Sequence, residues 1–239
     1  MWSRIELKTK AKAVLKTSYW KAFLVSLIIG FVGGNSGGFS FNWHSGNEQN
    51  HINLGDELLP YLFIFMTGFL FVVLIILAFR VLLGYALEVG GRRYFVQSAQ
   101  ENVDLNFLGI AFEKEKYFNI IKTMLWRAFL NFLWYLLLLI PGIVKSYAYR
   151  MVPYILADNP NIGYSRAIEL SNKMTDGQKF KMFILDLSFI GWYILGFIAF
   201  FIGILFVLPY VNATQAELYL ALRQNAIDRG DCSYEELQL

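Results

Sequence analysis

Four apolar blocks limit what this chain can fold into more than any other feature of its sequence. They are Tyr19–Val32, Leu58–Leu83, Phe118–Ala157 and Phe183–Val211. A helix needs about 20 apolar residues to cross about 30 Å of hydrocarbon, so the first two blocks each predict one span. Pro141-Gly142 interrupts the third block, and the fourth, continued to residue 222, is long enough for two short helices. Only 16% of the residues are charged, against about 25% in soluble domains. The sequence therefore predicts an all-α membrane protein with six transmembrane helices.

The distribution of positive charge predicts the orientation of these helices. Of the 21 lysine and arginine residues, 19 fall in four segments that the six-span arrangement places on one side: 1–21, 80–127, 158–181 and 223–239. The three opposite loops contain none. Positive charge is retained on the cytoplasmic side. We therefore expect a multi-pass plasma-membrane protein with a cytoplasmic N-terminus and a cytoplasmic C-terminus.

A nine-residue phrase occurs twice and suggests an internal repeat. Residues 16–24 read KTSYWKAFL and residues 122–130 read KTMLWRAFL, with six identical positions. Shorter echoes connect the later spans: WYLL at 134–137 with WYIL at 192–195, and PYILA at 153–157 with PYVNA at 209–213. The alternative is coincidence in an aromatic, apolar sequence.

These echoes favour a single membrane domain over residues 1–239, built from three parallel pseudo-repeated hairpins. A basic amphipathic interfacial segment would precede each hairpin. The expected limits are about 10–90, 106–158 and 162–222, followed by a cytoplasmic tail at 223–239.

Basic and aromatic residues mark the cytoplasmic starts of the first two repeats. The candidate interfacial anchors are Lys16, Trp20, Lys21, Lys122, Trp126 and Arg127. Their cations would contact anionic lipids of the inner leaflet, while the indole rings lie at head-group level.

Two segments predict helices lying in the inner interface. In the first, apolar residues recur at helical spacing among lysines: Leu7, Ala11, Val14 and Leu15. The second comprises residues 162–175, between a start signal at 158–160 and a stop signal at 176–177. A calmodulin-like or nucleic-acid partner is an alternative for a basic helix. The position directly beside a span favours membrane lipids, and no nucleic-acid partner is expected.

Neither the outer loop nor the rest of the chain contains a pattern typical of an enzyme. His44 and His51 lie in the loop between the first two spans, but their spacing matches no rigid metal-ligand pattern, so an ordinary polar loop is expected. Cys232 is the only cysteine, which excludes an intramolecular disulfide. There is no nucleophile elbow, phosphate loop or clustered metal ligand set. We expect no catalysis, metal or cofactor.

Several stretches resemble a family of bacterial membrane proteins. These are LSFIGWYILG at 187–196, LPYVNATQAELY at 208–219, the preceding NKMTDGQKFKMFILDL, and the N-terminal RIELKTKAKAVLKTSYW. The family is catalogued as domain of unknown function 975 and is found mainly in Gram-positive-type bacteria. The resemblance implies a plasma-membrane protein and supplies no activity or functional residues.

Four ionisable residues within the apolar segments are the candidate intramembrane polar site: Lys145, Arg150, Asp186 and Glu217. Charges at membrane depth are costly and usually face a cavity or a partner. We hypothesise that Arg150 pairs with Asp186 or, as an alternative, with Glu217.

Two functions fit these features. One is transport or flipping of an amphiphile, such as a lipid, a peptide or a drug-like compound. The other is a non-transporting accessory, scaffold or protective (immunity-type) role in the envelope. The sequence leaves the substrate, the oligomeric state and any ion coupling open.

Overall fold

The computed structural model describes residues 3–28, 58–198 and 202–238, and this part of the chain is helical without any strand. The predicted His44 and His51 loop lies outside the described residues. The helices are α1 Arg4–Ile28, α2 Leu58–Phe79, α3 Tyr85–Ala99, α4 Lys114–Leu137, α5 Leu139–Ala148, α6 Val152–Asp158, α7 Tyr164–Met174, α8 Lys179–Leu187, α9 Ile190–Ile198 and α10 Ile202–Asp228. A 3₁₀ segment, Leu105–Phe112, precedes α4.

Helix α1 contains the amphipathic pattern predicted near the N-terminus, but protein covers its apolar face. Leu7, Ala11 and Leu15 are buried, and α1 packs against α10 and α3. The helix bends at Ser18, where φ is −126° and ψ is 19°. The Ser18 hydroxyl donates to the carbonyl of Val14 at 2.9 Å, a side-chain bond typical of bent helices. The expected lipid-facing stripe is thus used for tertiary packing.

Helices α2 and α3 form one long rod with two different environments. A π-helical turn, Arg80–Gly84, joins them, and the Tyr85 N–H donates to the Arg80 carbonyl five residues back. From Phe63 to Phe79 every side chain is at least partly exposed, whereas most of α3 is buried. Gly90 lets α3 approach the 3₁₀ segment, since a Cβ there would lie 2.5 Å from the Leu108 carbonyl oxygen.

Helices α4, α5 and α6 form the second hairpin and its continuation. Leu138 is extended (φ −160°, ψ 146°) and reverses the chain. Gly142 packs closely on α4, because a Cβ there would lie 2.5 Å from the ring of Tyr135. The returning arm breaks after Ala148, and α6 starts with proline in its first turn, where a missing N–H costs nothing.

The third hairpin is built differently. Its first arm is broken between α8 and α9, while α10 runs unbroken through Pro209 for 27 residues. The two hairpins therefore place their helix breaks in different arms, and the internal repeat stays a prediction.

Two predicted boundaries gain detail. Helix α7 spans Tyr164–Met174, inside the predicted 162–175, and glycines with positive φ, Gly163 and Gly177, lie close to its two ends. The tail predicted to start at 223 is helical to Asp228 and then folds back. Its Leu237 is fully buried, and Arg166 of α7 binds Glu236.

Exposure divides the molecule into an apolar part and a compact part. No side chain from Leu125 to Pro141 is buried, and α9 is also largely exposed, whereas every side chain of α6 is buried. Three described helical segments are long and apolar enough to cross a membrane: Phe63–Ala99, Lys114–Leu137 and Lys179–Ile198. The helical class is thus confirmed, and the six-span count stays a prediction.

Candidate functional site

Helix α10 carries a polar face through the centre of the molecule. At 3.6 residues per turn, Asn212, Tyr219 and Arg223 fall on nearly the same side of the helix, with Gln215 about 60° away. Asn212 and Gln215 bind different parts of the chain, while Tyr219 and Arg223 share one partner. Three polar clusters result.

The first cluster is centred on Asp186 of α8. Arg150 donates to it in a bidentate arrangement, with Nη1 at 2.6 Å from Oδ2 and Nη2 at 3.0 Å from Oδ1. The Tyr147 hydroxyl donates to Oδ2 at 2.8 Å, and the Gln215 amide donates to Oδ1 at 3.1 Å. Planar, doubled contacts of this kind are stronger and more directional than single ones.

A helix break places Arg150 in this cluster. Arg150 lies in the turn between α5 and α6, and Asp186 lies two residues before the break between α8 and α9. The Ala148 carbonyl at the first break accepts from the Ser171 hydroxyl at 2.7 Å, and the Met151 N–H donates to the same hydroxyl at 3.2 Å. Helix α7 thus satisfies backbone groups that the break leaves open.

The same break brings Arg150 and Asp186 together, although straight transmembrane spans would place them at different depths. Two straight helices would place Arg150 and Asp186 about 10 Å apart along the membrane normal. Because the returning arm ends its helical rise at Ala148, Arg150 turns towards α8 instead of continuing straight. Helix α5 also packs directly against α8. The ion pair therefore connects the second hairpin to the third.

The second cluster surrounds Asp158 at the end of α6. Its Oδ2 accepts from the Tyr219 hydroxyl at 2.6 Å and from Arg223 Nη1 at 2.8 Å. Arg93 of α3 donates to the neighbouring Ala157 carbonyl. Asp158 is 4% exposed, so this carboxylate depends on its partners. This cluster fixes α6 between α3 and α10.

The third cluster joins α1, α3 and α10. Asn212 accepts from Arg92 Nη1 at 2.8 Å and donates to the Ser26 hydroxyl at 3.0 Å. Arg92 also lies over the Tyr154 ring, 5.1 Å from its centroid. Close by, Arg127 lies 3.7 Å from the buried carboxylate of Glu88.

The predicted interfacial anchors lie in unlike environments. Trp20 is 72% exposed, and Trp126 packs edge-on against Tyr164, which also carries Lys122 over its ring at 4.6 Å. Lys21 reaches the Val103 carbonyl at 3.5 Å. The side chain of Lys16 lies outside the described part. Arg127 faces the buried carboxylate of Glu88, and its side chain is 21% exposed.

The four residues predicted as an intramembrane site do not form one group. Arg150 and Asp186 pair, Lys145 lies over the Trp134 ring at 5.0 Å, and Glu217 lies by α1 on another side of α10. Sequence reasoning missed Tyr147, Gln215 and Asn212. The sequence contained a signal for Gln215 and Asn212, because amide side chains within an apolar helix need hydrogen-bond partners, as charged side chains do. The described residues contain no group of histidine, cysteine and acidic side chains that could hold a metal ion.

The comparison with known families establishes whether the family resemblance of the sequence holds. The model of the family described as "Protein of unknown function (DUF975)" matches residues 57–226. The chain belongs to this family. The match spans α2 to most of α10 and includes every member of the three clusters except Ser26, while the resembling N-terminal stretch lies before it. No curated protein and no solved structure matches the chain.

Proposed function

We propose that this chain is a multi-pass plasma-membrane protein that moves an amphiphile between the two leaflets. One observation carries the proposal: two broken helical arms meet at the Arg150–Asp186 pair. Non-helical backbone at membrane depth is tolerated where it is buried in protein or lines a cavity, and transporters use such breaks for their binding sites. Three helices suited to a membrane support the setting.

The proposed orientation places the compact part at the cytoplasmic side. Helix α7, the folded-back tail and the first half of α1 would then lie at or below the inner head groups, beside anionic lipids. The exposed apolar part, with α2, the distal half of α4 and α9, would contact the acyl chains. The proposal includes no catalytic step and no cofactor.

In this proposal the ion pair acts as a gate. Arg150 and Asp186 hold the α5–α6 arm against α8, and separating them would open a path between the second and third hairpins. Such a gate needs the pair to form and break repeatedly. A state without the pair would present a cation and an anion that can bind a polar head group.

Lipid scrambling in liposomes containing the purified protein tests this function. Asp186→Asn keeps the side-chain shape and removes its charge, so we expect it to change the scrambling rate at least severalfold. Glu169→Gln, which affects an exposed pair with Lys173 on α7, is the matched control and should leave the rate unchanged. Scrambling no faster than in empty liposomes, for the native chain and for both variants, would rule out the function.

An accessory role is the second candidate, and one observation favours it. Asp186 accepts four hydrogen bonds, which leaves little capacity for a substrate. In that case the ion pair clamps two hairpins together without opening. Disulfide crosslinking of α5 to α8 separates the two candidates, since it would stop scrambling by a gate and leave a rigid scaffold unaffected.

A further inference from the structure

A cleft separates the first half of α1 from the C-terminal part of α10, beside the end of α3. Its volume is about 640 Å³. One wall is apolar and includes Leu7, Val14 and Leu220, while charged groups occupy the rim. The cleft has no residue in common with the three polar clusters. It lies at the segment of α1 that the sequence places at the membrane interface.

Glu217 is the residue that points to a ligand. It is 7% exposed and lines the cleft, and within the described part of the chain its carboxylate has no hydrogen-bond or ion-pair partner. It lies about 140° around α10 from Asn212, so it faces away from the polar clusters. A largely buried carboxylate that opens onto the cleft is unfavourable as a charge, and a cation bound in the cleft would compensate it.

The charges around Glu217 select the sign of that ligand. Among the described residues, Lys10 is the cation that lines the cleft; it acts on Glu217 electrostatically, but its ion pair is with Glu6, at 3.1 Å. Glu101 adds a further negative charge at the rim. The lining therefore carries an excess of negative charge, which favours a cation and disfavours an anion.

We propose that this cleft binds the ammonium head of a cationic amphiphile. The head group pairs with Glu217, and the alkyl chain lies along the partly exposed Val14 and Leu220. A small hydrophilic cation would leave the apolar wall uncovered, whereas an amphiphile uses both features. The binding of this amphiphile does not depend on the proposed function. The further conclusion that the same compound is moved across the membrane rests on it.

Binding can be measured with a nitroxide-labelled long-chain alkylammonium added to the protein in uncharged maltoside micelles. The electron paramagnetic resonance spectrum should contain a motionally restricted component that a probe with the same chain and a sulfonate head does not give. Glu217→Gln should weaken cationic binding about tenfold, the value of one charge-assisted hydrogen bond. Glu115→Gln, at an exposed position of α4 outside the cleft, is the matched control and should have no effect.

A second variant predicts a change in the opposite direction. Lys10→Gln removes the partner of Glu6 and increases the negative charge of the rim, so the alkylammonium should bind more tightly. A purely structural role of the cleft would not give opposite shifts for two neutralising substitutions. Equal binding of the cationic and sulfonate probes, or an unchanged affinity in Glu217→Gln, would overturn the inference.

The source of the ammonium group is resolved by competition. Phosphatidylethanolamine added to the micelles should displace the probe if the natural ligand is a lipid head group, and should not displace it if the site is built for a free cationic amphiphile. Both results require the same chemistry at Glu217. Probe binding without scrambling in liposomes would reject the proposed function alone, and scrambling without probe binding would reject this inference alone.

Discussion

Asp186 is the most highly connected carboxylate in the described structure, and its three partners come from two parts of the chain. Arg150 and Tyr147 belong to the second hairpin, and Gln215 belongs to α10. A largely buried carboxylate or guanidinium is unfavourable alone, so the pair is stable mainly because both members are present. This dependence gives a direct test.

Arg150→Ala should lower the free energy of unfolding by about 2 kcal/mol, because Asp186 loses its counter-ion. The value is below that of a fully buried pair, since the two side chains are 21% and 30% exposed. Adding Asp186→Ala should recover part of the loss, which a double-mutant cycle of Tm values in detergent would measure. Additive losses in the double variant would contradict the pairing argument.

The helices meet at positions where glycine is required by a neighbour. Gly196 of α9 packs against α10, and a Cβ there would lie 2.7 Å from the backbone nitrogen of Ile204. Backbone atoms cannot rotate away as a side chain can. Gly191 in the same helix has open space around it. The two glycines thus form an internal comparison.

Gly196→Ala should reduce stability by about 1–3 kcal/mol through overpacking of the third hairpin. Gly191→Ala should be neutral or stabilising by up to about 1 kcal/mol, since alanine favours a helix. Thermal unfolding in one detergent would compare the two variants. Equal Tm values would show that α9 and α10 are not in close contact.

The C-terminal tail is attached to α7 by a contact that depends on pH. Arg166 Nε donates to Glu236 Oε1 at 2.6 Å, and these hydrogen bonds hold the pKa of Glu236 below its ordinary value. A carboxylate with a lowered pKa stabilises the folded state above its unfolded-state pKa of about 4.3. The contribution is lost as the pH falls through the lowered pKa.

A spin label at Gln238 in a Cys232→Ser background should therefore report an immobile tail from pH 8 to about pH 5, and a mobile tail below about pH 4. Arg166→Gln should remove most of this pH dependence. Continuous-wave spectra across the pH range provide the measurement. A tail that is mobile at pH 7 would contradict the docking.

How far the sequence predicts this structure depends on what kind of interaction decides each feature. Local signals place α7 within two residues at its N-terminal end, because start and stop residues act within one turn. The partner choice of Arg150 followed from the scarcity of acids in apolar segments. The packing of α1 on α10 and the contact of Arg127 with Glu88 depend on tertiary neighbours that no local pattern reveals.

Across the whole molecule, the exposed apolar part and the compact part with its buried charges meet along one boundary. Above it lie the exposed ends of α2, α4 and α9, and below it lies the compact part with α6, α7 and the tail. Asp186 lies shortly before the exposed α9, and Arg127, the partner of Glu88, lies at the start of the exposed part of α4. A boundary of this kind fits the inner edge of a bilayer, and it predicts which surfaces a water-soluble reagent can reach.

Single cysteines at Ser45 and Lys173, in the Cys232→Ser background, should label from opposite sides of the membrane. An impermeant maleimide should modify Ser45→Cys in intact cells and Lys173→Cys only after lysis, because the proposed topology places α7 in the cytoplasm. Lys173 has a half-exposed side chain on α7, whereas Ser45 lies outside the described residues. Labelling of both positions from outside would contradict the topology.

The π-helical turn at Arg80–Gly84 has a consequence for how the family can change in length. It holds one residue more than a regular turn, so a deletion within it can restore a regular α-helix and keep the faces of α2 and α3, whereas a deletion inside α3 would rotate the residues beyond it by about 100°. In the proposed membrane setting α2 tolerates rotation, because lipid would surround it alike on every side. Helix α3 does not, since Glu88, Arg92 and Gly90 each face a specific neighbour. One-residue deletions should therefore be accepted within the π-helical turn and near the start of α2, and selected against between residues 85 and 99.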